Sequence, residues 1–186
     1  MNKNKQKIAI ASVIALLIFS IISGLVLPYI RNKDNDTIGP GRLQQEEKIA
    51  VPNFQFTDAD GNTVDFDDFK GKPIVMNFWG TWCPWCVEEM GDFNRLAGEY
   101  GDKVNFLFLD VAGNEDETPE KVKKYLADNG YDNITSYYDS MVQGCYMFGL
   151  NSFPATIYVD KDGYLYDAVL GMTNYDSVKE IVDSML

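Results

Sequence analysis

Histidine is absent from this sequence of 186 residues. Its absence excludes His-based acid–base catalysis, Ser-His-Asp and Cys-His nucleophile pairs, and nearly all catalytic zinc sites. Cysteine is scarce, with three residues, too few for a disulfide scaffold in a chain of this length and one short of a four-thiolate zinc site. We therefore predict no metal site and favour redox use of a cysteine pair.

Positive charge is scarce after the first quarter of the chain. Residues 49–186 contain 9 lysines and arginines against 24 aspartates and glutamates, which leaves a formal charge of −15. Such a surface repels the phosphates of nucleic acid, so we predict no nucleic-acid partner. We interpret the acidic surface as a contribution to solubility. The length of this part suits one domain with its own core.

Charged side chains are also missing from residues 8–30. As a helix this segment would extend roughly 34 Å, enough to cross a bilayer core of about 30 Å. A cleaved signal peptide would have a shorter apolar region and a small-x-small cleavage site, which does not follow here. The segment is therefore predicted to be an uncleaved transmembrane anchor that contacts the lipid bilayer.

Charges on either side of the predicted anchor indicate its orientation. Three lysines precede it, and Arg31 and Lys33 follow it among acidic residues. The positive-inside rule then places the N-terminus in the cytoplasm and the domain outside, in a single-pass protein of the cell membrane. The predicted organisation is a cytoplasmic N-terminus at 1–7, a transmembrane anchor at 8–30, a flexible linker at 31–48 and one domain at 49–186.

Within the domain, hydrophobic periodicity predicts alternating strands and helices. The predicted strands are an N-terminal hairpin around Phe54–Phe56 and Val64–Phe66, then 73–79, 104–111, 134–137, 155–159 and 164–170. The predicted helices are 84–99, 118–130, 140–148 and 175–185. Thr118 is the expected cap of the second helix, with Pro119 in its first turn.

Cys83 and Cys86 lie where a predicted buried strand is followed by a helix. The strand ends at Trp79 and Pro84 suits the first helical position, so Cys83 is expected at or beside the N-cap. Free backbone N–H groups and the helix dipole stabilise a thiolate there, which makes Cys83 the expected attacking sulfur. Cys86, on the same helical face, would be more buried and would resolve the intermediate. The pattern predicts dithiol–disulfide exchange over a structural disulfide or adventitious metal binding.

The sequence VMNFWGTWCPWC at residues 75–86, followed by Glu88-Glu89-Met90, resembles the ResA/TlpA/CcmG group of thioredoxin-like proteins. The resemblance continues through Tyr146 and Gly149 to Phe153-Pro154 and the hairpin at 160–163. It implies an α/β thioredoxin fold of the AhpC/TSA-redoxin type, with three α/β/α layers and a mixed central sheet. It also implies an N-terminal β-hairpin and a central βα insertion near residues 112–137.

The same resemblance implies the residues that contact the substrate. Pro154 would be a cis-proline that packs beside the disulfide and offers backbone groups to a peptide, whereas without the family it is simply the entry to a strand. The inner dipeptide Pro84-Trp85 differs from that of much of the group. The reduction potential of the cysteine pair therefore stays open. The substrate-binding residues expected on this basis are Trp82, Pro84, Trp85, Phe153 and Pro154.

Glu89 matches a glutamate that is thought to assist proton movement in ResA-like members, so we group it with Cys83 and Cys86 as a catalytic residue. A carboxylate there would raise the thiol pKa and could relay a proton. The alternative is a solvated glutamate on a helix face. Asn77 stands where cytoplasmic thioredoxins have a buried aspartate, and it cannot act as a base.

Cys145 is the third cysteine. Its helical spacing with Met141 or Val142 and with Phe148 indicates a buried small hydrophobe. The alternative is a thiol near the expected cis-proline that pairs transiently with the active site.

The leading hypothesis is an extracytoplasmic thiol–disulfide oxidoreductase that needs no cofactor beyond its Cys83–Cys86 disulfide. The resemblance implies that it reduces exported proteins, for cytochrome c maturation or recycling of an exported reductase. A membrane thiol-electron transporter similar to CcdA or DsbD would supply electrons. An oxidase that installs disulfides is the first alternative, and a tethered binding module with a structural disulfide is the second. A peroxidase is disfavoured because Cys83 follows Trp82 and has a paired cysteine.

Overall fold

The computed structural model describes residues 48–111, 116–139 and 142–186. The predicted N-terminus, anchor and almost all of the predicted linker lie outside these residues. Among the described helices, none is both long enough and apolar enough to cross a membrane. The strands are β1 (Gln55–Thr57), β2 (Thr63–Asp65), β3 (Ile74–Trp79), β4 (Asn105–Asp110), β5 (Ser136–Tyr138), β6 (Ala155–Val159) and β7 (Leu165–Leu170). The α-helices are α1 (Pro84–Tyr100), α2 (Pro119–Asp128), α3 (Gln143–Met147) and α4 (Tyr175–Met185), and short 3₁₀ helices span Phe66–Phe69 and Gly101–Lys103.

The described strands form one mixed sheet in the order β2-β1-β5-β4-β3-β6-β7. β3 pairs in parallel with β4, and β4 pairs in parallel with β5. β6 runs antiparallel to β3 and to β7, and β1 runs antiparallel to β2 and to β5. The parallel register aligns Trp79 with Asp110, so β3 and β4 end at the same edge, and the active-site turn starts there.

Two apolar layers cover the sheet because alternate residues of β3 point to opposite faces. Val75 and Trp79 belong to the core formed with α1, α2 and α4. Ile74, Met76 and Phe78 belong to the core on the other face, which includes the N-terminal hairpin and α3. All six residues of β3 are buried, as its largely apolar sequence, interrupted only at Asn77, predicts. The predicted three-layer thioredoxin-like fold is confirmed.

The start of the predicted helix at 140–148 differs in the structure. α3 begins at Gln143 rather than at residue 140, and Val142, its N-cap, has a left-handed backbone with φ of 49°. A β-branched residue rarely adopts this conformation, and nothing in its sequence neighbourhood indicates it. The Val142 side chain is 49% exposed and does not share the burial of Cys145. Ser140 and Met141 lie outside the described residues.

Candidate active site

The Cys83–Cys86 disulfide lies at the start of α1. Cys83 is the N-cap with an extended backbone, and its sulfur accepts a hydrogen bond from the N–H of Cys86 at 3.2 Å. The two Cα atoms are 5.2 Å apart. Cys83 is 4% exposed and Cys86 is fully buried. Because Cys83 retains access to solvent and has a helix N-terminus beside it, it is the sulfur better placed for exchange.

The turn that precedes Cys83 is attached to the neighbouring part of the sheet. Trp82 donates its indole N–H to the carbonyl of Val111 at 3.1 Å, and the Cys83 N–H bonds to the carbonyl of Gly80 at 3.1 Å. A Cβ on Gly80 would lie 2.4 Å from the Trp82 ring, so the ring can take this position only over a glycine. These contacts hold Trp82 beside the disulfide.

The expected cis-proline is present, since the Phe153-Pro154 peptide bond is cis. Pro154 is buried at the entry to β6. Trp82 and Phe153 both pack against the core that contains Cys83 and Cys86, and their rings meet edge to face with centroids 5.9 Å apart. Trp85, on the outer side of the disulfide, is 65% exposed. The fold thus brings Trp82 and Phe153 to the core that contains the cysteines, with Pro84 and Trp85 between the two cysteines in sequence.

An apolar groove of about 470 Å³ opens beside this cluster. Its lining residues come from the active-site turn, the end of β4, α3 and the loop that precedes β6. They are Trp82, Val111, Val142, Cys145, Tyr146, Leu150 and Phe153. Tyr146 is 89% exposed, so the groove has an aromatic wall that is open to solvent.

Glu89 is buried, with 2% of its surface exposed, so the alternative of a solvated helix-face glutamate was wrong. The side-chain amide of Asn77 donates to Oε1 at 2.9 Å, and the N–H of Thr173 donates to Oε2 at 2.8 Å. Burial raises the pKa of Glu89 to about 7, although these two hydrogen bonds oppose the shift. A carboxyl group that titrates near neutral pH can both give and accept a proton.

Cys145 is buried at 7% exposure, as predicted, and it also lines the groove next to Trp82 and Phe153. Its backbone N–H donates to Oδ2 of Asp139 at 3.0 Å. Burial, reinforced by the charge of Asp139, raises the pKa of the Cys145 thiol to about 12. The thiol is therefore protonated and weakly nucleophilic at neutral pH.

We expect an alkylating reagent to distinguish the cysteines. After reduction at about pH 7.5, iodoacetamide should modify Cys83 at least about tenfold faster than Cys145, because only the thiolate reacts and Cys145 retains its proton. Peptide mass spectrometry at successive times measures both rates. Equal rates, or faster labelling of Cys145, would support the alternative of a redox-active third thiol.

Sequence reasoning missed two acidic residues behind the active-site turn, Asp110 and Glu117. Asp110 ends β4 and is 3% exposed, and Glu117 accepts hydrogen bonds from Thr81. A carboxylate that ends an apolar strand was the available signal for Asp110. Glu117 has no such signal, because its contact with Thr81 joins residues 36 positions apart.

The fold and the Cys83–Cys86 pair define a thioredoxin-like thiol–disulfide oxidoreductase. Its redox group is the disulfide, and the described residues contain no group of His, Cys, Asp and Glu side chains that could hold a metal ion. The Redoxin family model matches residues 45–182, so the chain belongs to the Redoxin family. Its relatives include many ResA proteins.

Two curated relatives and one solved structure illustrate this similarity. The thiol-disulfide oxidoreductase ResA of Bacillus cereus is 32% identical over 171 residues, which are 89% of this chain and 91% of the relative. ResA of Geobacillus thermodenitrificans is 27% identical over 188 residues and 98% of each chain. The exposed lipoprotein thioredoxin of Streptococcus pneumoniae superposes with a TM-score of 0.62 at 25% identity, over 72% of this chain and 99% of that one.

Proposed function

We propose that this oxidoreductase is anchored in the cell membrane through residues 8–30 and reduces disulfides in exported proteins. Its domain at 49–186 faces the outside of the cytoplasm. The relative that aligns over 98% of the chain supports a shared N-terminal segment as well as a shared domain. The observation that carries the reducing direction is the buried carboxyl group of Glu89 one helical turn after Cys86.

The exchange runs through Cys83. Its thiolate attacks one sulfur of the client disulfide, a mixed disulfide forms, and the other client sulfur leaves as a thiolate that takes up a proton. The Cys86 thiolate then attacks the Cys83 sulfur, which closes the enzyme disulfide and releases the second client thiol. Two electrons pass to the client, and a membrane thiol-electron transporter of the CcdA or DsbD kind restores the dithiol.

Glu89 serves as the proton acceptor and donor for Cys86 in this scheme. It lies three residues after Cys86 on α1, so both side chains face the same side of the helix. Cys86 is fully buried and needs an internal base to become the attacking thiolate. Asn77, which cannot titrate, holds one oxygen of Glu89 through a hydrogen bond. Because the Asn77 amide can neither take up nor release a proton, Glu89 carries out the proton transfer.

The client peptide docks against the exposed face of the disulfide. Phe153-Pro154 offers backbone groups beside the cysteines, and Pro84 and Trp85 form the opposite, solvent-exposed side. The groove between Trp82 and Tyr146 accepts an apolar side chain near the client cysteine. The walls of this groove are largely apolar, so apolar burial rather than charge pairing stabilises the docked peptide.

Electrostatics favour a reductant over an oxidase. Strong oxidants stabilise their reduced form through a low thiol pKa. Here the Glu89 carboxyl beside Cys86 and the acidic domain, with its formal charge of −15 in residues 49–186, disfavour a thiolate. The oxidase alternative depends on the inner dipeptide Pro84-Trp85, which differs from the inner dipeptide of many reductants.

Redox titration tests the direction. We expect a reduction potential near that of thioredoxin, about −270 mV, and a value near that of DsbA, about −120 mV, would support the oxidase. Equilibration against glutathione or dithiothreitol buffers, followed by thiol counting, measures it. The Glu89→Gln variant should shift the potential to a less negative value, because a neutral side chain removes the charge that opposes the thiolate. The exposed neighbour Glu88 offers the control variant Glu88→Gln.

Client capture and accessibility test the cellular part of the proposal. Cys86→Ser retains the attacking thiol but cannot resolve the mixed disulfide, so exported clients should accumulate on Cys83 and be identified after reduction. A membrane-impermeant maleimide added to intact cells, after treatment with an impermeant reductant, should label Cys83 of this variant. Labelling only after permeabilisation would contradict an extracytoplasmic domain, and extraction by alkaline carbonate would contradict the anchor.

A further inference from the structure

Glu117 is attached to the active-site turn through both of its carboxylate oxygens. Oε1 accepts the backbone N–H of Thr81 at 2.6 Å, and Oε2 accepts the Thr81 hydroxyl at 2.6 Å. The Glu117 side chain has no solvent exposure, and Lys121 lies 3.1 Å from Oε2. Thr81 is two residues before Cys83, so this contact positions the segment that carries the attacking sulfur.

Asp110 lies behind Glu117. It is the last residue of β4, is 3% exposed and is hydrogen-bonded to Glu117. Among the described residues, no N–H or O–H group donates to its Oδ2 atom. Two carboxylates can share a hydrogen bond only when one of them carries a proton. Glu117 already accepts from Thr81 and Lys121, so the proton belongs on Asp110.

The electrostatics of the pair agree with this assignment. Burial raises the pKa of Asp110 to about 8, and the hydrogen bond and charge of Glu117 add to the shift. Burial by itself would raise the pKa of Glu117 as well. The hydrogen bonds from Thr81, Asp110 and Lys121 outweigh this effect and hold the pKa of Glu117 below its usual value. Asp110 is thus an acid and Glu117 an anion at neutral pH.

We propose that Glu117 is a positioning residue that holds the active-site turn through Thr81, and that the proton on Asp110 keeps Glu117 in place. The inference rests on the dithiol exchange at Cys83 described above. When Asp110 loses this proton, two negative charges remain in a buried space without the hydrogen bond that joined them. Repulsion then moves Glu117 away from Thr81, and the turn loses its attachment.

Other ionisable groups also face this pair. Lys121 of α2 faces both carboxyl groups and stabilises their charged forms. Tyr138 of β5 faces Asp110, Glu117 and Glu120, and burial together with these charges raises its pKa to about 12. Tyr138 therefore stays neutral while Asp110 titrates. The change in charge beside Glu117 therefore arises at Asp110.

The rate at which Cys83 attacks a small disulfide tests the proposal. It is measured in the intact protein from about pH 6 to about pH 10. Dividing each rate by the fraction of Cys83 present as thiolate removes the effect of the titration of Cys83 itself. In the wild type this rate should fall on the order of tenfold as the pH rises through about 8, the effect of losing about one charge-assisted hydrogen bond. In Asp110→Asn the amide donates to Glu117 without titrating, so the rate should stay constant. The exposed residue Glu120 provides a control, and Glu120→Gln should retain the wild-type profile.

A spectroscopic readout keeps the proposal testable apart from activity. In the Glu89→Gln variant, the infrared difference spectrum between about pH 6 and about pH 10 should contain the carbonyl band of a protonated carboxylic acid, and the added change Asp110→Asn should remove it. Glu89→Gln is the background because Glu89 also titrates near pH 7. Glu117→Gln removes the neighbouring anion, so ionisation of Asp110 no longer causes repulsion and the alkaline fall in rate should be absent. An alkaline fall that persists in Asp110→Asn, or a carboxylic-acid band that persists when Glu89→Gln and Asp110→Asn are combined, would overturn the inference and leave the exchange reaction intact. A wild type without exchange activity at any pH would instead refute the proposed function.

Discussion

Replacing Cys83 with serine is expected to lower the rate of disulfide reduction by roughly 10³-fold or more, because a hydroxyl group cannot supply the thiolate nucleophile. Cys83 is the N-cap of α1, and serine is among the preferred N-cap residues. The variant should therefore retain the helix start and fold normally. Turbidity from reduced insulin, or reduction of a chromogenic disulfide, measures the rate.

Cys86→Ser is the matched variant. It retains the attacking sulfur and should complete the first step, so a mixed disulfide should accumulate in place of turnover. Mass spectrometry of the protein after incubation with a disulfide peptide detects this adduct. Reductase activity that survives in Cys83→Ser would contradict the assignment of the nucleophile.

The second large effect concerns the pH dependence of stability. Glu89 has a folded-state pKa of about 7 against an ordinary value of 4.5, so the folded protein holds its proton more tightly than the unfolded chain. Between these two pH values the folded state binds more protons, and the free energy of unfolding falls as the pH rises. At about 1.4 kcal/mol per pH unit, the decrease due to Glu89 is about 3 kcal/mol.

Denaturant titrations at several pH values check this prediction. Glu89→Gln cannot ionise and should lose this part of the slope, so its profile should be flatter than that of the wild type. Glu88→Gln, at the exposed neighbouring position, should keep the wild-type slope. Asp110 contributes to the slope of all three proteins, and the comparison between variants therefore isolates Glu89. Equal slopes in wild type and Glu89→Gln would contradict a buried, protonated Glu89.

Local sequence was enough to predict most of the fold. The largely apolar sequence of β3 and the helix-start residues Thr118 and Pro119 lead to elements that begin within one or two residues of their observed positions. The start of α3 could not be predicted, because it depends on the left-handed backbone of Val142, which this residue type does not favour. A valine in this conformation runs against the local preference.

The cysteine pair is the part of the site that sequence alone determined. Its position after a buried strand, with Pro84 in the first helical turn, specifies an N-capping sulfur because strand, turn and helix start are local structures. The resemblance added Pro154 as a cis-proline, which is present. It also added Glu89, whose roles in catalysis remain a proposal.

Only the tertiary structure decided how the acidic residues behave. Glu89 receives a hydrogen bond from Thr173, 84 residues away along the chain, and its burial places its pKa near neutral. Asp110 and Glu117 likewise meet behind the active-site turn only because the fold packs their segments together. In the same way, Cys145 lines the groove beside Trp82. Desolvation and charge pairing depend on packing between distant segments, so the sequence names the titrating groups and the fold sets the pH at which they act.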